Sequence, residues 1–200
     1  MNRRCFLQST LAVPLLDGVL STKVSAQPPQ PPIQESPTMT TTKPILIAAD
    51  PFAVALKEAL SAHLREKGYD VLDLGATPEK EIPYFESAPN VCKTIQSGKA
   101  DQAILLCGTG MGMSIVANRF KGIVAAVVES VFAAKMSRVI NNANVLCLGA
   151  MIWGDWMAKE AVDAFLTTKF TEGLEPLADF LKDAEKKVEA IRDKKEPSSK

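Results

Sequence analysis

The chain has 200 residues, of which 46% are apolar, and its 23 basic and 23 acidic side chains leave it without formal net charge. This length and apolar content suit one domain with a buried core. The charge balance does not favour a nucleic-acid or anionic-lipid partner, and no apolar run is long enough to cross a membrane. The four cysteines lack the spacing of a metal site or a disulfide framework.

The first 43 residues differ in character from the rest. Residues 2–8 read Asn-Arg-Arg-Cys-Phe-Leu-Gln, like a twin-arginine export signal, and a mildly apolar stretch with the small residues Val24-Ser25-Ala26 follows. This pattern predicts a signal peptide over residues 1–26 and a periplasmic or extracellular protein. Residues 27–43 are proline-rich, which predicts a flexible linker. The alternative is that Met39 begins a cytoplasmic protein.

From residue 44 onward, short apolar runs alternate with helical patterns. Strands are predicted at residues 44–49, 69–74, 103–106, 123–128 and 144–148. Helices are predicted at residues 52–64, 84–96, 111–120, 131–139, 155–168 and 177–191. This alternation predicts βαβ units, and therefore an α/β domain whose parallel sheet is covered by helices on both faces.

A glycine-rich turn, Cys-Gly-Thr-Gly-Met-Gly-Met-Ser, runs from Cys107 to Ser114 between the third strand and the next helix. Ligands of parallel sheets bind beyond the carboxyl ends of the strands, which places Asp50 and Cys107 at one rim. Free N–H groups at the helix start can bind an oxyanion and favour a thiolate, a combination that suits proton abstraction next to a carbonyl. The alternative for Cys107 is a buried structural thiol. The glycine spacing matches neither a dinucleotide fingerprint nor a P-loop.

The order of elements and this turn resemble ribose-5-phosphate isomerase B and its LacA/LacB relatives over residues 44–192. The match continues through Ala-Asn-Arg-Phe-Lys-Gly at residues 117–122, Ser-Arg at 137–138, Asn-Val-Leu at 144–146 and Gly149. The resemblance implies a Rossmann-like three-layer α/β/α sandwich with a five-stranded parallel sheet. Residues 193–200, beyond the resemblance, are predicted to be a disordered tail. It also implies aldose–ketose isomerisation of a sugar or sugar phosphate through an enediolate, without metal or cofactor.

The resemblance also implies a role for each site residue. Cys107 would move the proton between C1 and C2, and Thr109 would help to hold the enediolate oxygen. The remaining turn residues would bind substrate, largely through their amides: Gly108, Gly110, Met111, Gly112, Met113 and Ser114. Asp50 would contact the sugar hydroxyls, and Asn141 of a neighbouring subunit would complete the site. We therefore expect a homodimer, or a tetramer built from it.

Several positions depart from the family pattern. Pro51 replaces a histidine that helps to bind phosphate, Ile140 replaces the histidine that opens the sugar ring, and Met151 replaces an arginine. Residues 172–176, Glu-Gly-Leu-Glu-Pro, replace a stretch with further cations. The only histidine, His63, is predicted to have a surface or packing role in the first helix.

These departures leave three hypotheses open. The protein is an isomerase of a changed substrate, such as a small sugar or sugar acid without phosphate. Alternatively, it is an ordinary sugar-phosphate isomerase whose missing groups are supplied by residues at other positions, such as Arg119 or Arg138 for the missing cations. The third hypothesis is a catalytically degenerate family member that binds carbohydrate or a partner subunit. Glu81 is a weaker alternative to Cys107 as the base.

Overall fold

The computed structural model describes residues 43–193, and the structural statements below concern that part of the chain. Its strands are β1 (Ile45–Ala49), β2 (Val71–Asp73), β3 (Ala103–Cys107), β4 (Ala125–Val127) and β5 (Val145–Gly149). Its helices are α1 (Val54–Glu66), α2 (Tyr84–Gln96), α3 (Met111–Ala117), α4 (Val131–Asn141), α5 (Asp155–Thr167) and α6 (Ala178–Asp193). The predicted signal peptide, nearly all of the linker and nearly all of the tail lie outside the described residues.

The five strands form one parallel sheet in the order β2-β1-β3-β5-β4. Because the strands are parallel, their carboxyl ends share one edge of the sheet, which we call the carboxyl edge. Ala49, Cys107 and Gly149 end the three central strands there. The opposite edge, where Ala103 and Val145 begin their strands, is the amino edge.

Alternate residues of the central strands face two separate cores, as the two-residue repeat of a strand requires. One core joins Ile47, Leu106 and Leu148 to α1, α4 and α5. The other core joins Leu105 and Cys107 to α2 and α3. The predicted three-layer α/β/α sandwich with a five-stranded parallel sheet is therefore confirmed.

The end of α3 is set by a side chain. The helix was predicted to reach residue 120, but it ends at Ala117. The next residue, Asn118, accepts a hydrogen bond from the Ala125 amide at 2.9 Å and donates one to the Ala125 carbonyl at 2.8 Å. The Asn118 amide group thus takes the place of a neighbouring strand beside the start of β4.

The last helix packs lightly against the domain. Leu181 of α6 is buried, whereas Phe180, Val188 and Ile191 are each more than 60% exposed. An apolar stripe along α6 is therefore left uncovered by this chain. None of the helices within residues 43–193 is long and apolar enough to cross a bilayer.

Candidate active site

Cys107 lies at the carboxyl edge, where the chain turns back over its own sulfur atom. The Gly110 N–H donates a hydrogen bond to the Cys107 Sγ at 3.1 Å. Gly110 has a φ of 77°, and a Cβ there would lie 3.0 Å from the Leu148 carbonyl carbon. Glycine is therefore required by both conformation and space. The turn gives a buried sulfur a backbone donor, which stabilises negative charge on it.

Three amides in the first turn of α3 remain available to an oxyanion. The N–H groups of Met111, Gly112 and Met113 have no hydrogen-bond partner among the described residues. The Gly110 amide is occupied by Cys107, and the Ser114 amide donates to the Gly110 carbonyl at 3.1 Å. Of the amides predicted to bind the oxyanion, from Gly110 to Ser114, those of Met111, Gly112 and Met113 therefore remain free.

Two of the residues predicted to bind substrate through their amides have side chains that point into the protein. Met113 is fully buried in the core beneath α2 and α3. The Ser114 hydroxyl is buried and donates to the Ala125 carbonyl at 3.1 Å. Met113 can therefore contribute only its main-chain amide, and Ser114, whose amide donates to Gly110, contributes no free donor. The side chains of Thr109 and Met111 are exposed at the rim.

Asp50 is the residue beside Cys107 on the neighbouring strand. Ala49 of β1 pairs with Leu106 of β3, and the Asp50 amide donates to the Leu106 carbonyl at 3.0 Å. The Asp50 side chain is buried, and its Oδ1 accepts a hydrogen bond from the Phe52 amide at 3.0 Å. Burial raises the pKa of the Asp50 carboxyl, and the Phe52 amide only partly opposes it. The predicted grouping of Asp50 with Cys107 matches the geometry of the carboxyl edge.

Tyr84 adds an aromatic wall that was not predicted from the sequence. A Cβ added to Gly112 would lie 3.1 Å from the Tyr84 ring, so this ring packs on the first turn of α3. Phe85 holds the ring edge to face, with 5.4 Å between the centroids. Aromatic residues are common at the start of a helix, and nothing in the sequence around Tyr84 indicates that it contacts the turn after β3.

A buried lysine supports the loop next to Asp50. Lys57 of α1 is 1% exposed, pairs with the Asp73 carboxylate at 2.5 Å and donates to the Ala76 carbonyl at 2.6 Å. The Ala76 amide in turn donates to the Ala49 carbonyl at 2.9 Å. The ion pair therefore fastens the loop after β2 to the end of β1. Sequence reasoning missed it, since a lysine in an amphipathic helix is usually solvated.

The Arg138 side chain stabilises the fold through contacts within the domain. Its guanidinium donates to the Ala143 carbonyl at 2.5 Å and the Thr168 carbonyl at 3.4 Å, and it lies 5.6 Å from the centre of the Phe165 ring. Burial lowers the Arg138 pKa. Near Cys107, Met151 occupies the position of the family arginine, and a Cβ on Gly108 would lie 3.4 Å from its thioether sulfur. Arg138 is thus unsuited to replace the missing phosphate-binding cations.

Asn141 and Ile140 lie far from Cys107 of the same chain. They end α4, which leads into the start of β5 at the amino edge. Cys107 pairs with Gly149 at the other end of β5, so the two places are separated by the strand length, roughly 13 Å for five residues. Asn141 can therefore reach a Cys107 site only on another chain.

The remaining titratable residues singled out by the sequence are structural. His63 lies 2.9 Å from the Asp163 carboxylate between α1 and α5, which confirms its packing role. Burial raises the pKa of the Cys92 thiol to about 12 and raises that of Cys147 well above its usual range. Among residues 43–193, no three His, Cys, Asp or Glu side chains are grouped as metal ligands would be.

A buried thiol with a backbone donor, free amides in the turn that follows and an adjacent carboxyl form an arrangement suited to proton transfer on a Rossmann-like domain. In a comparison with known proteins, residues 45–177 match the model of the ribose/galactose isomerase family. The chain belongs to this family, and it is an aldose–ketose isomerase of the ribose-5-phosphate isomerase B and LacA/LacB type.

Individual relatives cover most of the chain. A 4-deoxy-4-sulfo-D-erythrose isomerase from Clostridium sp. is 48% identical over 74% of this chain and 95% of its own length. A D-erythrulose-4-phosphate isomerase from Pectobacterium atrosepticum is 42% identical over 64% of this chain and 86% of its own. A crystal structure of a ribose 5-phosphate isomerase from Thermotoga maritima has a TM-score of 0.68 and 39% identity, and the match covers 75% of this chain and 99% of that one. Nothing in these comparisons supports the degenerate, non-catalytic alternative.

Proposed function

We propose that the protein isomerises an open-chain four-carbon aldose whose C4 carries an acidic group, with sulfonate favoured over phosphate. The observation that carries this proposal is the lack of a histidine able to open a sugar ring. The chain has one histidine, and it pairs with Asp163 between α1 and α5. Ile140 stands where the ring-opening histidine of the family is expected.

A tetrose substituted at C4 does not need its ring opened. A five-membered ring would require a free C4 hydroxyl to attack the C1 aldehyde, and in these sugars C4 bears the acidic group instead. The substrate therefore reaches the enzyme with its carbonyl exposed, and the presence of Ile140 in place of a ring-opening histidine does not slow its isomerisation. Two relatives of this chain are named for such four-carbon substrates.

The residues around the site favour a group with a single negative charge. A phosphate dianion requires concentrated positive charge and bidentate donors. Met151 and Pro51 replace two family phosphate ligands, and Arg138 is occupied by main-chain carbonyls. A sulfonate carries only one charge, so it can be held by fewer donors.

The test compares four substrates for the purified protein: 4-deoxy-4-sulfo-D-erythrose, D-erythrose 4-phosphate, D-ribose 5-phosphate and D-ribose. We expect the highest kcat/KM on the sulfo sugar and the lowest on the two pentoses. Ile140→His should raise activity on the pentoses and leave the tetroses nearly unchanged, and Ile140→Leu serves as the matched control. Higher kcat/KM on ribose 5-phosphate than on either tetrose would overturn the proposal.

We further propose that the working unit is a homodimer, or a tetramer built from it, in which each site combines Cys107 of one chain with Asn141 of the other. The placement of these residues at opposite edges of the sheet supports this arrangement. A groove of about 550 Å³ lies beside Asn141, and Ile140, Phe180 and Val188 of its lining are exposed. A second copy would cover this apolar surface.

Sedimentation at micromolar concentration tests the dimer. Phe180→Asp should dissociate it and reduce activity, because it places a charge on the apolar stripe of α6. Lys186→Asp, on an exposed position of the same helix, is the matched control and should remain dimeric. A wild-type protein that is both monomeric and fully active would contradict the shared site.

We also propose that the protein is exported by its twin-arginine-like segment. Support comes only from residues 2–26 of the sequence, which lie outside the described residues. The mature protein should be recovered from the periplasmic or extracellular fraction with a first residue near Gln27. Replacement of both Arg3 and Arg4 by lysine should retain it inside the cell. A cytoplasmic protein that starts at Met39 would refute export.

A further inference from the structure

Aldose–ketose isomerisation moves two protons. One passes from C2 to C1, and the other passes from the C2 hydroxyl to the carbonyl oxygen on C1. A thiolate at Cys107 serves the carbon proton, while the free amides of α3 hold negative charge on oxygen but cannot give up and take back a proton at a useful rate. The reaction therefore needs a second ionisable group near both oxygens.

Asp50 occupies the position that this second group requires. It follows Ala49, the partner of Leu106, so Asp50 and Cys107 are the next neighbours across two parallel strands about 4.8 Å apart. Leu46 and Ala48 of β1 face the same core as Cys107, and Asp50 continues their alternation. The two side chains therefore leave the sheet on the same side.

The Asp50 carboxyl is also free to act. Its Oδ1 accepts the Phe52 amide, and its Oδ2 has no hydrogen-bond partner among the described residues. Asp73, by contrast, is held by Lys57 and by the Gly75 amide, and Glu81 is exposed in the loop before α2. Burial raises the pKa of the Asp50 carboxyl, which shifts this group toward its protonated form.

We propose that Asp50 is a catalytic residue that carries the hydroxyl proton between the two substrate oxygens, an inference that rests on the proposed isomerase function. The Cys107 thiolate takes the proton from C2, and the free amides of α3 hold the negative charge on the oxygen of the resulting enediolate. The Asp50 carboxyl then protonates that oxygen on C1, which gives the enediol. The Asp50 carboxylate then removes the proton from the C2 hydroxyl as the Cys107 thiol protonates C1. The ketose leaves, and both groups return to their starting forms.

Asp50→Asn tests this role, because asparagine keeps the size and the oxygen that accepts the Phe52 amide but cannot carry a proton. The reaction is run in D2O, and NMR follows both deuterium entering C2 of the recovered aldose and formation of the ketose. We expect isomerisation to fall by about 10² to 10⁴-fold, as for other lost proton-transfer groups. Exchange at C2 depends on Cys107 and should fall much less. The ratio of exchange to isomerisation should therefore rise on the order of tenfold or more.

The controls show whether a loss of activity reflects the role of Asp50, a failure to fold or a wrong choice of substrate. Asp70→Asn makes the same chemical change at an exposed position and should leave the ratio unchanged. Should Asp50→Asn fail to fold, Asp50→Ser keeps a capping oxygen and gives the same expectation. Should the wild type convert neither four-carbon sugar, the substrate proposal fails, and the ratio is measured on D-ribose 5-phosphate instead. Exchange and isomerisation that fall together in the Asp50 variants would overturn the catalytic role.

Discussion

Replacement of Cys107 by serine tests the proton-transfer site most directly. Serine fits the buried space at the end of β3 and can accept the Gly110 N–H that now reaches Sγ at 3.1 Å. Its hydroxyl is far too weakly acidic to supply an anion for proton abstraction. Loss of a positioned proton-transfer group costs about 10² to 10⁴ in rate, which corresponds to about 2.7–5.4 kcal/mol of transition-state stabilisation.

The assay measures kcat and C2 proton exchange on the sugar that the wild type converts fastest. Both should fall together in Cys107→Ser, while KM and the unfolding midpoint change little. Cys92→Ala is the matched control, because burial in the second core keeps that thiol protonated, so its loss should affect stability and leave activity intact. Unaltered turnover in Cys107→Ser would remove the thiolate from the mechanism.

Three further predictions concern the support of the site. Lys57→Met leaves the Asp73 carboxylate without its buried partner, and should lower the free energy of unfolding by about 3–5 kcal/mol in urea titrations; little or no loss would show that the pair is not needed. The free energy of unfolding should also fall as the pH rises from about 9 toward 12, because the Cys92 thiol ionises near 9 in the unfolded chain and stays protonated to about 12 in the folded one. Cys92→Ala should reduce this pH dependence. An unchanged pH dependence in Cys92→Ala would show that other groups cause it. Gly149→Ala places a Cβ 2.7 Å from the Thr109 main chain, so it should displace the turn and reduce both kcat and thermal stability; wild-type kcat would show that the turn tolerates the shift.

The apolar periodicity and the positions of the glycines were enough to predict the parallel sheet, its helical layers and the placement of Asp50 and Cys107 at the carboxyl edge. These features follow from local pattern: each central strand is a continuous apolar run, Asp50 directly follows one of them, and Cys107 ends another. The same reasoning placed the end of α3 three residues too late, because the Asn118 side chain pairs with β4, a contact that sequence spacing does not reveal.

The unpredicted parts of the site depend on contacts between residues distant in the chain. Lys57 and Asp73 are 16 positions apart, and only the folded loop after β2 shows that the lysine is buried. In the sequence Arg138 resembles a free cation, yet its guanidinium donates to main-chain carbonyls that include that of Thr168, which is distant along the chain. Tyr84 reaches the turn through Gly112, whose missing side chain leaves room for the ring.

The separation of Cys107 and Asn141 across the sheet means that two inactive variants should restore each other's activity in a mixed dimer. In a shared site, a chain with Cys107→Ser still offers an intact Asn141, and a chain with Asn141→Ala still offers an intact Cys107. When the two inactive variants are unfolded and refolded together in equal amounts, half of the dimers should be mixed, and each mixed dimer should contain one wild-type site. About a quarter of the wild-type activity should then return, although neither parent can produce it alone.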